Sequence, residues 1–360
     1  MAHGFLNGAK YGEDTMILVQ MIEGTLAEIV VPAGTKKIGA YAFDNISSLK
    51  KIIIPEGVER IGSNALAWTG IAELELPLSC RTIDSLALLG IWSCKTMKMG
   101  NVTSIGEKAF VQCNDLVELD FTRCDSVPAL ASTNAFDNYV LKNNPKILVP
   151  AALYGEWVAA TNWSQHAEYI VPVYDAPEVV VPDRVSEGLD FTLCGNEWDR
   201  YYEVAGLGTC ADEVLVIPSE HNGVPVTGLR SYCFSGNTSI KEVYIPESII
   251  EFGYAFENCT NLEKIYVDAS GISSFEFCNI SPLKYVKFGR LTFLGGGTFA
   301  DCTGAVFDFS ECTAIPEFDS YGYGREFGAN PMVVVPLALY DEWKVNTNWA
   351  MYADHIVAAK

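Results

Sequence analysis

The stretch VYIPESIIEFGYAFENCTNLEKIYV, residues 243–267, begins and ends on the same kind of short apolar triplet. Such triplets recur along the chain. The residue immediately after each triplet is at position 32, 55, 77, 100, 122 or 150 in the first half and at 218, 246, 268, 289, 310 or 336 in the second. Within each half, the steps between these positions are 21 to 28 residues. Between triplets, a large apolar residue usually followed by glycine precedes a second apolar residue, so each unit contains a strand, a turn, an apolar arc and a return.

This period predicts a solenoid, because units of 20 to 29 residues with one short strand each are typical of leucine-rich repeats. One such rung buries about five or six apolar side chains, each stabilising it by about 1.5–3 kcal/mol. Ordering its residues costs roughly 1–2 kcal/mol apiece in backbone entropy. A single rung is therefore unstable, whereas stacked rungs stabilise their neighbours. We predict an α+β solenoid with short parallel strands, one in each rung of about 22 residues.

Each half of the chain closes with the same sequence. Residues 147–171, ILVPAALYGEWVAATNWSQHAEYIV, recur as VVVPLALYDEWKVNTNWAMYADHIV at 333–357, with 13 of 25 positions identical at an offset of 186. The open end of a solenoid exposes apolar surface and an unpaired strand edge, which need a cover. We therefore predict a helical cap at 150–171 and another at 336–357.

The local sequence of the first cap supports two short helices. Proline is tolerated in a first helical turn, and Leu153, Tyr154 and Trp157 follow at a spacing that forms one apolar stripe. Thr161-Asn162 is predicted to cap a second helix. The equivalent residues of the second half repeat this pattern.

Two caps indicate two tandem arrays. This agrees with the length, because 360 residues are more than one hydrophobic core usually organises. We predict a first solenoid over 1–173 and a second over 189–360. The intervening residues 174–188 are the predicted linker, because the segment 172–188 contains three prolines and several acids, a composition typical of a semi-stiff linker. Residues 16–29 and the segment LDFTLCGNEWDRYYEVAGLGTCADEV are predicted to start the two stacks.

Charge restricts the partners. The chain contains 45 acidic and 24 basic side chains, a net charge of −21, so a nucleic acid backbone would be repelled. No apolar run reaches the roughly 18 residues that span a bilayer, so no membrane span is expected. The first twenty residues lack the basic and apolar regions of a secretory signal.

Cysteine and histidine patterns favour neither a metal nor a cofactor. The eleven cysteines include no C-x-x-C pair, and the four histidines form no ligand pair. Cys113, Cys259 and Cys302 occupy a column that holds isoleucine in other rungs, which predicts buried, unreactive thiols. Bridges between Cys94 and Cys113 or between Cys194 and Cys210 remain open. The glycine-rich segments at 295–297 and 322–328 lack phosphate-loop spacing, and we expect no cofactor and no enzyme.

The outward face of the strands is the candidate binding surface. Side chains alternate along a strand, so the middle residue of each triplet faces out. The candidate binding residues in this column are Tyr244, Tyr266, Lys287, Asp308, Glu75, Lys98 and Asp120. Lys98–Asp120 and Lys287–Asp308 are predicted cross-strand pairs. Tyr244 and Tyr266 are the main contact candidates, because exposed aromatic residues are enriched at interfaces.

The repeats resemble the BspA-type leucine-rich repeat family of bacterial surface proteins. The best matches are IIIPEGVERIGSNAL at 52–66, SIGEKAFVQCNDLVEL at 104–119 and the stretch 243–267 quoted first. Rungs at 84–94 and 271–281 depart from the pattern and are predicted to be irregular. The resemblance implies non-enzymatic binding of a host or bacterial surface protein or glycan, as in an adhesin, at an extracellular location.

The alternative is a phage or prophage tail-associated protein, since similar arrays are familiar from phages of gut bacteria. This alternative predicts a virion location, neighbouring tail genes and an N-terminal docking region at residues 1–14. The sequence leaves the ligand and the oligomeric state open.

Overall fold

The structure, a computed structural model, describes residues 27–136, 138–274, 276–319 and 326–360. The chain divides into two compact units, Met1–Val173 and Tyr174–Lys360. The predicted docking region at 1–14 and nearly all of the predicted start at 16–29 lie outside the described residues. The exact bounds of the two predicted arrays and of the linker stay predictions.

The first unit is a stack of short parallel strands, as the period of the triplets predicts. Its main strands are Glu28–Val30, Lys51–Ile53, Glu73–Glu75, Thr96–Lys98, Glu118–Asp120, Lys146–Pro150 and Ile170–Tyr174. Pairs such as Met97 and Leu119 stand in parallel register. Leu74 and Leu76 are buried while Glu75 is exposed between them, so the period-two alternation within the triplets is confirmed.

A second, separate ladder joins successive rungs of the first unit. Its two-residue strands are Lys37–Ile38, Arg60–Ile61, Thr82–Ile83, Ser104–Ile105 and Ala129–Leu130, all paired in parallel. The glycine that often follows has a steric reason. A Cβ on Gly106 would lie 2.3 Å from the backbone nitrogen of Ser85 in the preceding rung. In the rung at 84–94, the N–H groups of Leu86 and Gly90 donate to the carbonyls of Glu107 and Val111 in the next rung, at 2.9 and 2.8 Å, so the predicted irregularity is wrong there.

The first cap closes the last rung with aromatic side chains. Its elements are the 3₁₀ turn Ala151–Leu153, the helix Tyr154–Ala159 and the 3₁₀ helix Ser164–Tyr169. Trp157 and Trp163 are fully buried, and both pack on Phe121 of the stack, with centroids 5.1 and 5.6 Å away. Ile170–Tyr174 then adds one more strand beside Lys146–Pro150.

The prediction that Thr161-Asn162 caps the N-terminus of the second short helix is wrong. Ser164–Tyr169 is a 3₁₀ helix preceded by Trp163, with no side-chain capping bond. Asn162 instead takes a left-handed backbone conformation, with φ of 67°, and its amide donates to the carbonyl of Leu130 at 2.7 Å. The asparagine therefore links the cap to the stack rather than starting a helix.

The second unit opens with the antiparallel hairpin Asp190–Asn196 and Asp199–Gly206, which confirms the predicted starting strands. Glu220–His221 and Val224–Leu229 form a second hairpin, whose longer strand runs parallel to Asp199–Gly206. The main strands are Val214–Val216, Glu242–Ile245, Lys264–Val267, Tyr285–Phe288, Val306–Asp308, Met332–Val335 and Ile356–Ala359. The second ladder contains Gly271–Ile272, Phe293–Leu294 and Glu317–Phe318. In the rung at 271–281, Phe277 and Asn279 donate their N–H groups to carbonyls of the next rung at 2.8 and 2.9 Å, so the predicted irregularity is wrong for the residues described there.

The second cap repeats the first. Leu337–Leu339 and Ala350–His355 are 3₁₀ helices on either side of the helix Tyr340–Val345. Trp343 and Trp349 are fully buried, and both pack on Phe309, with centroids 5.6 and 5.2 Å away. Both halves of the chain thus end in the same aromatic closure.

The cysteine column lies inside the stack, as predicted. Cys113, Cys259 and Cys302 are buried, and each thiol lies 3.2 to 3.4 Å from a carbonyl oxygen 25 residues earlier. The thiols thus act as weak donors to backbone acceptors of the neighbouring rung, a role that isoleucine does not share. Burial raises the pKa of Cys259 to about 11 and that of Cys302 to about 12, so both are protonated at neutral pH.

One irregular segment lies across the strands of the second unit. We name residues 177–185 the strap. At its C-terminal end, Ser186 donates its N–H to the carbonyl of Val216 at 2.9 Å and accepts the Val216 N–H through Oγ at 3.0 Å. Arg184 pairs with Asp212 at 3.2 Å. The strap is therefore held beside the first main strand of the unit.

Candidate functional site

The candidate residues of the second unit form one column across four strands. Register pairs Tyr244 with Tyr266, Tyr266 with Lys287 and Lys287 with Asp308. The column predicted from alternation therefore exists. Its exposure differs from the prediction because the strap crosses it.

Tyr244 is not an exposed contact residue, contrary to the prediction. Only 8 % of its surface is exposed, and its hydroxyl donates to the carbonyl of Val180 in the strap at 3.4 Å. Tyr266 is half-buried and stacks on Tyr244, with ring centroids 4.4 Å apart and planes at 19°. Burial raises the pKa of both tyrosines, so both hydroxyls stay protonated at neutral pH. Tyr266 thus keeps more exposed surface than Tyr244.

Asp308 is also inaccessible, although its predicted pair with Lys287 is confirmed. Lys287 Nζ lies 3.8 Å from Asp308 Oδ2 and 3.0 Å from Glu311 Oε1. Asp308 is fully buried and accepts hydrogen bonds from the hydroxyl of Tyr285 at 2.5 Å and from the backbone N–H of Ser310 at 2.8 Å. With these partners the Asp308 carboxylate holds neighbouring side chains in place, and it has no exposed surface.

Sequence reasoning missed Tyr285 in this cluster. Its ring lies 6.1 Å from that of Tyr266, and burial together with the Asp308 hydrogen bond raises its pKa. The signal was present, because Tyr285 stands two residues before Lys287 and therefore faces the same side of the sheet. A pattern of three residues per triplet does not include this outward position.

The candidate residues of the first unit also divide into exposed and buried side chains. Glu75 and Lys98 are exposed, as predicted, whereas Asp120 is only 9 % exposed and accepts the backbone N–H of Thr122 at 2.7 Å. Lys98 and Asp120 stand in register, but the described residues show no ion pair between them, so the predicted pairing is wrong here. Glu75 pairs instead with Arg123 at 2.9 Å.

Arg123 joins three successive rungs and was not anticipated. Its guanidinium donates to the carbonyls of Leu76 at 2.7 Å and Met99 at 3.1 Å as well as to Glu75. These bonds reach from the rung of strand Glu118–Asp120 to the rungs of strands Thr96–Lys98 and Glu73–Glu75. They fix the strand ends that border the outer face of the first unit.

A groove of about 380 Å³ lies between the strap and the outer face of the second unit. Its walls are aliphatic strap residues on one side and strand residues on the other. The residues that line it include Val179, Val181, Pro182, Tyr266, Lys287 and Glu311. The combination of apolar walls with a few charged groups at one end is typical of a binding site. Tyr266 and Lys287 are the two predicted residues that both line this groove and retain exposed surface.

Metal and redox chemistry find no support in the part of the chain that the structure describes. It contains no cluster of three histidine, cysteine, aspartate or glutamate side chains suited to a metal ion. The eleven cysteines all lie in described segments, and no disulfide joins them, including the two pairings left open by the sequence. Burial raises the pKa of Cys94 to about 12, which leaves this thiol protonated and inert.

His166, in the first cap, is buried with neither ring nitrogen in a well-formed hydrogen bond. Its ring packs edge-on against Phe136, with centroids 5.0 Å apart. Burial lowers the pKa of His166, and the nearby backbone of Thr133 and carboxylate of Glu168 oppose this effect without reversing it. The neutral ring is therefore the form that fits the cap.

We expect the first unit to lose stability as the pH falls below about 6.5, the usual pKa of an unfolded histidine. The folded state binds the proton less tightly than the unfolded state, so acid favours unfolding, by at most about 1.4 kcal/mol per pH unit from this group. Denaturant unfolding at pH 7.5 and 5.5 measures the effect. His166→Phe should reduce the difference between the two pH values. An unchanged difference would exclude His166 as its source.

The described residues include no helix that is long and apolar enough to cross a membrane. A family model, the BspA type leucine-rich repeat region, matches residues 23–142 and 217–319 in six copies. No curated protein is significantly similar to the chain.

Several solved structures are similar at low identity. A leucine-rich repeat protein of Bacteroides ovatus shares 15 % identity over 93 % of this chain and 83 % of its own, with a TM-score of 0.27. The leucine-rich repeat protein of T. pallidum shares 20 % over 50 % of this chain and 80 % of its own, at 0.36. A leucine-rich cell surface protein of Faecalibacterium prausnitzii shares 18 % over 83 % of this chain and 80 % of its own, at 0.27.

Proposed function

The chain belongs to the BspA-type leucine-rich repeat family, and on that premise we propose that it is a non-enzymatic, adhesin-like protein that binds a protein or glycan at a bacterial cell surface. The observation that carries this proposal is the groove beside the strap of the second unit. The stacked rungs hold its walls rigid, so binding there requires little ordering of the protein itself.

The chemistry of the groove supports recognition of a macromolecule. Tyr266 offers an aromatic edge with a protonated hydroxyl, and the aliphatic side chains of Val181 and Pro182 face it from the strap. Lys287 and Glu311 add charges of both signs at one end, 3.0 Å apart. An apolar centre with a polar margin is the usual anatomy of a protein interface.

We expect Tyr266→Ala and Val181→Asp, one from each wall, to weaken binding of the full chain at least tenfold, a loss of about 1.4 kcal/mol. An array of extracellular matrix proteins and bacterial glycans identifies the partner, and surface plasmon resonance then measures its affinity. Val181 is 59 % exposed, so its substitution leaves the core intact.

Two variants control for surface changes outside the groove. Tyr232→Ala removes an exposed tyrosine that stacks on Tyr254, and Val345→Asp changes an exposed valine on the second cap. Both should bind as the original chain does. Saturable binding that survives the groove variants, or no saturable binding to any array member, would refute the proposal.

A further inference from the structure

We propose that the outer face of the first unit, at Val30 and Ile53, is a second binding surface that takes an extended, valine-rich and acidic segment of a partner protein. The inference rests on the proposed function, because it assigns a partner class to the same side of the strands. It comes from a comparison between the two units: the strap covers this face in the second, whereas the described residues of the first leave it exposed.

The strap shows what covers this face in the second unit. Its sequence, PEVVVPDRV, is an extended run of valines between two prolines with acidic residues on either side. It lies over the first strands of the column, where Val216 and Tyr244 are each only 8 % exposed. The covering contact is side-chain packing with one hydrogen bond, from Tyr244 to the carbonyl of Val180.

The corresponding positions of the first unit are open. Val30 and Ile53 are the first two middle residues of its column, as Val216 and Tyr244 are in the second unit, and they stand side by side in parallel register. Val30 is 59 % exposed and Ile53 42 % exposed. In the part of the first unit that the structure describes, no segment covers them as the strap covers their counterparts. Adjacent exposed aliphatic side chains on a rigid ladder favour a partner that buries them.

The ladder is also interrupted next to Ile53, where one backbone hydrogen bond, from the Ala72 N–H to the Lys50 carbonyl at 3.2 Å, joins the two strands at their start. Lys51–Ile53 and Glu73–Glu75 form no registered pair among the described strands, although the equivalent strands of the second unit, Glu242–Ile245 and Lys264–Val267, pair over four residues. A cavity of about 500 Å³ opens there, lined by Ile53, Glu75 and Lys98. This opening accommodates side chains of a segment that lies across the strands.

Charge specifies an acidic partner. Three lysines, Lys50, Lys51 and Lys98, and two glutamates, Glu73 and Glu75, line the opening. Lys51 pairs with Glu28 and Glu75 with Arg123, so Lys50 and Lys98, both exposed, leave a net positive charge beside Glu73. The described residues form no ion pair with Lys98. Its counterpart in the second unit, Lys287, is neutralised by Asp308 and Glu311. Acidic groups such as Glu178 and Asp183 of the strap would be attracted to the unpaired lysines.

The face also favours a polypeptide over a saccharide. The middle residues of the first unit include no aromatic ring on which a sugar would stack; they are Val30, Ile53, Glu75, Lys98, Asp120 and Leu148. β-Branched aliphatic side chains pack well against other aliphatic side chains on a pleated surface. The occupant that matches both shape and charge is therefore a segment of the same chemistry as the strap.

The test uses the full chain and a labelled synthetic peptide with the sequence of residues 175–187, DAPEVVVPDRVSE. Fluorescence anisotropy should show saturable binding with one peptide per chain. Ile53→Glu and Val30→Glu should each weaken it at least tenfold, because each removes apolar contact and adds a charge that repels the acidic peptide. A peptide in which both Glu178 and Asp183 are replaced by lysine should also bind at least tenfold more weakly.

The controls separate this face from the strap's own site. Val345→Glu adds the same charge at an exposed valine of the second cap and should leave peptide binding unchanged. Absence of binding, binding that survives Ile53→Glu, or binding that Tyr266→Ala abolishes by acting on the second unit would each overturn the proposal. Self-association of the chain that disappears in Ile53→Glu would also overturn it, because the occupant would then be a second copy. Array binding that persists without peptide binding would reject this inference and leave the proposed function standing.

Discussion

Replacing Trp163 by alanine is expected to lower the free energy of unfolding of the first unit by about 3–5 kcal/mol, the usual range for a large buried aromatic residue. Trp163 is fully buried and contacts Phe121, Trp157 and Phe136. Its indole N–H donates to the carbonyl of Pro128 at 2.8 Å, so alanine leaves both a cavity and an unsatisfied acceptor. Urea unfolding followed by circular dichroism measures the loss.

The position at which the Trp163→Ala variant loses stability distinguishes a cap residue from an ordinary core residue. In a solenoid each rung contacts only its neighbours, so loss of the closure should open the end of the stack first. Amide hydrogen exchange in Lys146–Pro150 should accelerate far more than exchange in Lys51–Ile53. Equal acceleration in both strands, or a loss below about 1 kcal/mol, would contradict the role assigned to the cap.

The two tryptophans of this cap provide a matched pair of conservative variants. The indole nitrogen of Trp157 is buried and finds no hydrogen-bond partner among the described residues, unlike that of Trp163. Trp157→Phe therefore removes an unsatisfied donor, whereas Trp163→Phe breaks a hydrogen bond worth about 0.5–1.5 kcal/mol. Trp163→Phe should be the more destabilising of the two.

The sequence predicted the rungs and their closure because both follow from local periodicity. A triplet buries its outer residues in every rung, so the positions of Leu74 and Leu76 are fixed by alternation alone. The caps are recognisable because the same residues recur at an offset of 186. Steric and apolar constraints of this kind act between neighbouring rungs and leave a repeated signal.

The strap could not be predicted in the same way. Three valines between prolines have no helical or strand period, and a covering segment has the same composition as a linker. The exposure of the middle column depends on this long-range contact, which explains why Tyr244 was wrongly expected to be accessible. Tyr266 and Lys287 remained accessible because they lie farther along the column, where the groove opens.

Asp308 and Asp120 are equivalent in sequence but differ in the number of their bonding partners, which the sequence does not reveal. They occupy the same position of the same triplet in the two units, and each accepts a backbone N–H two residues later. Only Asp308 also accepts the hydroxyl of Tyr285 and pairs with Lys287. The two carboxylates therefore have the same sequence context but different numbers of partners.

We expect Asp308→Ala to lower the free energy of unfolding of the second unit by about 3 kcal/mol, within the range for removing one partner of a buried charged pair. The variant leaves the hydroxyl of the buried Tyr285 without its acceptor, while Lys287 keeps Glu311 as a partner, which limits the loss. Asp120→Ala should cost the first unit only about 1 kcal/mol, because one hydrogen bond is lost. Asp308→Asn keeps an oxygen acceptor and should fall between the two alanine variants. Urea unfolding of the three variants measures this order, and equal losses for the two alanine substitutions would show that the Tyr285 and Lys287 contacts contribute nothing to stability.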